Sequence, residues 1–123
     1  MSKQIPVCRH EQLTPGRGVA VLLPDGSQVA VFRTIEDELY AVGNLDPATG
    51  ACVISRGLTG SRGGLPTVAS PMLKHVYELT SGRCVDGPAG ADAKYRLPTY
   101  PVLREDDLVY VLDDAAAAGE GDR

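Results

Sequence analysis

The 123-residue sequence has no tryptophan, a single phenylalanine, two histidines and three cysteines. Three cysteines (Cys8, Cys52 and Cys84) are too few and too odd for the disulfide framework of a secreted mini-domain, so they are expected to be reduced and mostly core or strand residues. No apolar run is much longer than Gly18 to Leu23, against the ~20 residues a membrane span needs. The opening Met1-Ser2-Lys3-Gln4-Ile5-Pro6 lacks the apolar stretch of a signal peptide, and a cytoplasmic location is expected. No window holds apolar residues at i, i+3, i+4 and i+7 long enough for an amphipathic helix.

What is present suits one compact domain. A chain of 13.0 kDa buries about two-thirds of its extended surface, enough for a core without staples. The net charge of −4 is unevenly placed. Residues 104–123 carry seven acids against two arginines, whereas the first 103 carry ten cations against nine acids. The acidity belongs to the end of the chain, and no clustered basic face suggests nucleic acid.

The residues read as short strands separated by turns. Val19–Leu23 and Gln28–Thr34 flank Pro24-Asp25-Gly26-Ser27, a tight reversal. Glu38–Gly43 follows as the third strand of a meander, with Leu39 and Ala41 on one face and Tyr40 and Val42 on the other. Thr67–Ser70, His75–Leu79 and Arg83–Asp86 are further strands, the last two joined by Thr80-Ser81-Gly82. Tyr100–Arg104 and Leu108–Leu112 form a closing hairpin. Long loops are expected over Asn44–Pro66 and Gly87–Thr99, and loops of that length are commonly functional. The strand pattern predicts an all-β antiparallel sandwich or small barrel with little helix over residues 1–112, followed by an acidic, Ala-rich tail over residues 113–123.

The chemistry available from side chains is sparse. Cys8-Arg9-His10 has ligand-like spacing but no second pair, and reads as a strand-end cysteine beside an exposed histidine. No nucleophile motif surrounds either histidine. Gly57, Gly60, Gly63 and Gly64 form no phosphate cradle, because no strand-to-helix transition follows them, and they are assigned to positive-φ turns. From Pro47 to Tyr77 there is no acid, while Arg56, Arg62 and Lys74 are cationic. These are either a basic rim for an acidic partner surface or scattered solvated charges.

The segments Tyr40 to Ala51, Thr67 to Pro71 and Tyr77 to Ala89 resemble in order and spacing the Rieske iron–sulfur domains. In that family one loop supplies Cys-x-His and a second supplies Cys-x-x-His to a [2Fe–2S] cluster. On this chain those ligand positions fall at Asp46, Ala48, Ser70 and Leu73. The cluster ligands are gone. Asn44-Leu-Asp-Pro47, Ile54-Ser-Arg-Gly-Leu58, Val68-Ala-Ser-Pro71 with Lys74, and Leu79-x-x-Gly82-x-Cys84 narrow the resemblance to the small subunits of NAD(P)H-dependent assimilatory nitrite reductase. It runs from about Val7 to Leu112, departing at Tyr77, where Phe is common, and in a longer 87–99 loop and tail.

The resemblance implies a cofactor-free, non-catalytic subunit. FAD, a [4Fe–4S] cluster and sirohaem would lie on a large subunit that reduces nitrite to ammonium. The expected partner surface is Asp46, Pro47, Arg56, Gly57, Ser70, Pro71 and Lys74, with neither nucleic acid nor membrane as partner. The competing expectations are a stand-alone Rieske-type electron carrier with unusual ligands, or a cluster-free binding module.

Overall fold

The computed structural model describes residues 3–113, so the expected tail beyond Asp113 lies outside the described residues. The meander forms as its alternation predicts. β2 (Arg17–Leu22), β3 (Gln28–Arg33) and β4 (Leu39–Gly43) pair antiparallel in order, with Val19 opposite Val31 and Val31 opposite Ala41. Successive residues of β3 serve two cores. Ala30 and Phe32 face one cluster with Val42, Ile54, Val68, Tyr77, Leu79, Cys84 and Leu97. Val29 and Val31 face the other, with Leu13, Leu23, Ala41, Val109 and Val111. A strand covered on both faces reads as a continuous apolar run, which Val29 to Phe32 is.

The second core lies under a three-stranded sheet, ordered β1 (Gln4–Arg9), β11 (Leu108–Leu112), β10 (Val102–Glu105). The first core lies under a four-stranded sheet of β5 (Leu58–Arg62), β6 (Leu65–Ala69), β7 (Val76–Glu78) and β8 (Cys84–Asp86). All the strand pairings are antiparallel, so the all-β expectation holds.

Several local expectations change. The strand end expected at Cys8 belongs to β1, whose extent Pro6 hides in the sequence; the strand takes an edge position and shifts register between Pro6 and Cys8, where a missing N–H is tolerated. The first long loop is partly a hairpin: β5 and β6 meet at Gly63-Gly64, both at positive φ. β5 has no apolar alternation because it is an exposed edge strand. The second loop holds a one-turn helix α1 (Ala91–Lys94) and the short strand β9 (Thr99–Tyr100), which pairs with β4. Pro101 separates β9 from β10, dividing the strand expected over Tyr100–Arg104. Among the described residues no helix is long and apolar enough to cross a membrane.

Candidate functional site

Between β4 and β5 the chain is folded around two buried polar residues. Asn44 donates its amide to Gln28 Oε1 at 2.9 Å and accepts from the Ser55 N–H at 2.7 Å, fixing the loop entrance to its exit. Asp46, 0% exposed, donates its N–H to the Ala51 carbonyl, and its own carbonyl accepts from Thr49 and Gly50. Its Oδ1 accepts from the Ala48 N–H at 2.9 Å, the side-chain-to-backbone turn that Asp favours.

The turn between β6 and β7 is organised in the same way by Ser70, also 0% exposed. Ser70 N–H donates to the His75 carbonyl, and the Ser70 carbonyl accepts from Lys74 N–H. Lys74 is held at φ 65°, a left-handed conformation costly for a side chain of its kind. The Ser70 hydroxyl donates to Asp46 Oδ2, joining the two loops through their buried residues. Tyr77 lies in the adjacent core, and its hydroxyl finds no hydrogen-bond partner among the described residues. Burial pushes its phenol well above the usual range, and the nearby Asp46 carboxylate adds to this. His75 Nδ1 is likewise buried without a partner, its ring centroid 5.6 Å from that of Tyr95.

Outside this buried pair lies a cleft of about 290 Å³ lined by Arg56, Gly57, Leu58, Ala69, Ser70, Pro71 and Lys74. Five of the seven residues expected at a partner surface thus line one cleft. Gly57 permits the two walls to meet, since a Cβ there would press on the Ala69 carbonyl oxygen. It has φ −73°, so close approach rather than the expected positive φ is its reason. Pro47 faces a different groove, bordered by Leu45, Cys52, Arg96 and Tyr100. Asp46 and Ser70 are too deeply buried to offer their side chains to a partner, and they act behind the surface.

Arg56 and Lys74 are exposed and have no acid within ion-pair distance among the described residues. Arg62, also counted in the basic rim, is instead paired with Asp86 at 2.8 Å. Around the cations the same loops expose apolar side chains: Leu58 at 61%, Met72 at 53% and Leu73 at 54%. Only Leu73 was singled out from the sequence. The signal for Met72 was available, since Pro71-Met72-Leu73 is an apolar triplet inside a turn.

The residues at the expected ligand positions do not fit a [2Fe–2S] cluster. Ala48 and Leu73 carry no donor atom, and Asp46 and Ser70 direct their side-chain oxygens at each other. Among the described residues no group of three His, Cys, Asp or Glu side chains could hold a metal ion. His10 is buried rather than exposed, and its Nε2 lies 2.7 Å from Asp37 Oδ1. Cys8 lies in β1 and Cys84 is buried in β8, as expected of core or strand cysteines, whereas Cys52 is exposed.

Comparison with known proteins agrees with this frame. Residues 3–112 match the family described as the Rieske-like [2Fe-2S] domain. The chain is 34% identical over 110 residues to a nitrite reductase (NADH) small subunit of Salmonella typhimurium, covering 89% of this chain and 96% of that one. A crystal structure described as an NADH-dependent nitrite reductase small subunit from Mycobacterium tuberculosis superposes with a TM-score of 0.82 at 42% identity, covering 91% of this chain and 96% of that one. A third similarity is to a nitrite reductase [NAD(P)H] large subunit of Klebsiella oxytoca: 36% identity over 105 residues, 85% of this chain but 10% of that protein.

Proposed function

The chain belongs to the Rieske-like domain family and, within it, to the nitrite reductase small subunits, and from that membership we propose that it is the non-catalytic small subunit of a cytoplasmic NAD(P)H-dependent nitrite reductase. It docks on a large subunit that carries FAD, a [4Fe–4S] cluster and sirohaem and reduces nitrite to ammonium. The observation that carries this reading is the Klebsiella oxytoca protein, in which a segment like this chain forms about one-tenth of a large subunit. A domain that occurs covalently joined to a large subunit in one organism is a natural partner for one when it occurs as a separate chain.

The docking surface is the cleft between the two loops. Leu58, Met72 and Leu73 supply apolar area that gains by leaving water, and Arg56 and Lys74 supply charge without ion-pair partners among the described residues. The face on the large subunit is therefore apolar at its centre and acidic beside it. The chain supplies no redox group; its contribution is to the arrangement of its partner, where the cofactors carry the chemistry.

Binding of this chain to the isolated large subunit tests the reading. The Arg56→Glu, Lys74→Glu double variant should weaken association about tenfold or more at low salt, with a smaller loss at high salt. Unchanged affinity would remove the cleft from the interface. Failure of the unaltered chain to bind at all would remove the function.

A further inference from the structure

We propose that the Asp46–Ser70 hydrogen bond is the positioning device of the docking surface, closing the place where a [2Fe–2S] cluster would otherwise join the two loops. The docking part of this inference rests on the function proposed above. The loop closure does not.

Two loops that both bind one metal cluster are held together by it; without the cluster something else must fix their separation. Among the described residues the Ser70 hydroxyl to Asp46 Oδ2 contact is the sole hydrogen bond between residues 44–57 and residues 70–74. It joins the two side chains around which the loops themselves are wound. Asp46 organises Ala48 to Ala51 through its own backbone and Oδ1. Ser70 organises Met72 to His75 through its N–H, its carbonyl and its Oγ, which also accepts from Met72 N–H at 3.3 Å.

A fully buried carboxylate is expensive, and no cation lies within ion-pair distance of Asp46 among the described residues. It is tolerable only because Ala48 N–H and the Ser70 hydroxyl occupy its two oxygens. The same anchor sets the strained end of the second loop, since Lys74 at positive φ closes its turn on the Ser70 carbonyl. The β5–β6 pairing, with Leu58 opposite Ala69, holds the base of the cleft, so releasing Ser70 from Asp46 frees the Asp46–Ala51 turn from the Ser70–Lys74 turn above it, and with them the direction of Lys74.

Amide hydrogen exchange of the free chain, followed by binding to the large subunit, tests this. Ser70→Ala should speed exchange at Ala48, and Asp46→Ala at Met72 and Lys74, about tenfold or more, while the central sheet stays protected; each readout lies on the loop whose own acceptor is kept. The double variant should be no worse than Asp46→Ala, which already removes both the shared bond and the Ala48 contact. Asp46→Asn should stay near the unaltered chain, its amide oxygen accepting from Ala48 and its NH₂ donating to Ser70 Oγ. Against the large subunit, Ser70→Ala and Asp46→Ala should raise Kd about tenfold and Asp46→Asn should not.

Unaltered Ala48 exchange in Ser70→Ala, or a double variant clearly worse than Asp46→Ala, would overturn the closure. Loosened loops with unchanged affinity would overturn the positioning role. If the alanine variants do not fold, Asp46→Asn decides: native-like exchange supports the bond, and unfolding with the others assigns the site to charge instead. A large subunit that does not bind even the unaltered chain would sink the proposed function, and the exchange results would still decide the closure.

Discussion

At Gly57 the side chain is absent for a reason of space, not of dihedral angle. A Cβ would meet the Ala69 carbonyl oxygen and Val68 Cγ2, both in a strand that cannot retreat from the core. Gly57→Ala should cost about 2–3 kcal/mol, measured as a lowered urea midpoint with unchanged slope. Full stability would show that the loop and β6 are not in the contact described. Tyr77 presents the opposite case. Its hydroxyl is buried without a partner among the described residues, so Tyr77→Phe removes no hydrogen bond and lifts a desolvation cost. The variant should be as stable as the parent or more so, and a loss above about 1 kcal/mol would reveal a bond on that hydroxyl. Residues of this kind are barely legible in a sequence. Gly57 looks like any loop glycine, and the burial of Asp46 and Ser70 depends on each other's position 24 residues away.

Among the elements, the meander was readable because its information is local. The alternation in Glu38–Gly43 and the Pro-Asp-Gly turn specify pairing without reference to the rest of the chain, and Tyr40 and Val42 do face the core opposite to Ala41. β1 was hidden by Pro6 and β5 by its exposure, since an edge strand needs no apolar alternation to satisfy its backbone. The setting of His10 was equally remote. Its ring reaches the turn between β3 and β4, where Asp37 at φ 68° also accepts from Arg33 Nε at 2.9 Å. That contact has a pH signature. The His10 hydrogen bond, and then that of Arg33, hold the Asp37 carboxyl below its ordinary 3.8. A depressed acid stabilises the fold above its unfolded value, and the contribution drains away as pH falls below 3.8 through the folded value. Asp37 is exposed, so the effect is small and screened. Urea midpoints of the parent and Asp37→Asn should therefore differ most above about pH 4 and converge as the pH is lowered below it. A gap that stays constant across that window would contradict the arrangement.

For the whole molecule, the sequence resemblance carried more than composition or pattern could. Length, charge and strand punctuation led to a small all-β domain, whereas the order of four short phrases led to the nitrite reductase small subunits, to which the relatives also point. The cleft was half legible, because the stretch without acids from Pro47 to Tyr77 marks its cations but not their separation from Arg62. The joined Klebsiella oxytoca protein also sets an expectation for assembly, one small domain for each large subunit. The most direct test is NADH-driven nitrite consumption by the large subunit while this chain is titrated in. The rate should rise and level off at one chain per large subunit, with the two chains co-eluting. An unchanged rate, with no co-elution, would contradict the proposed function.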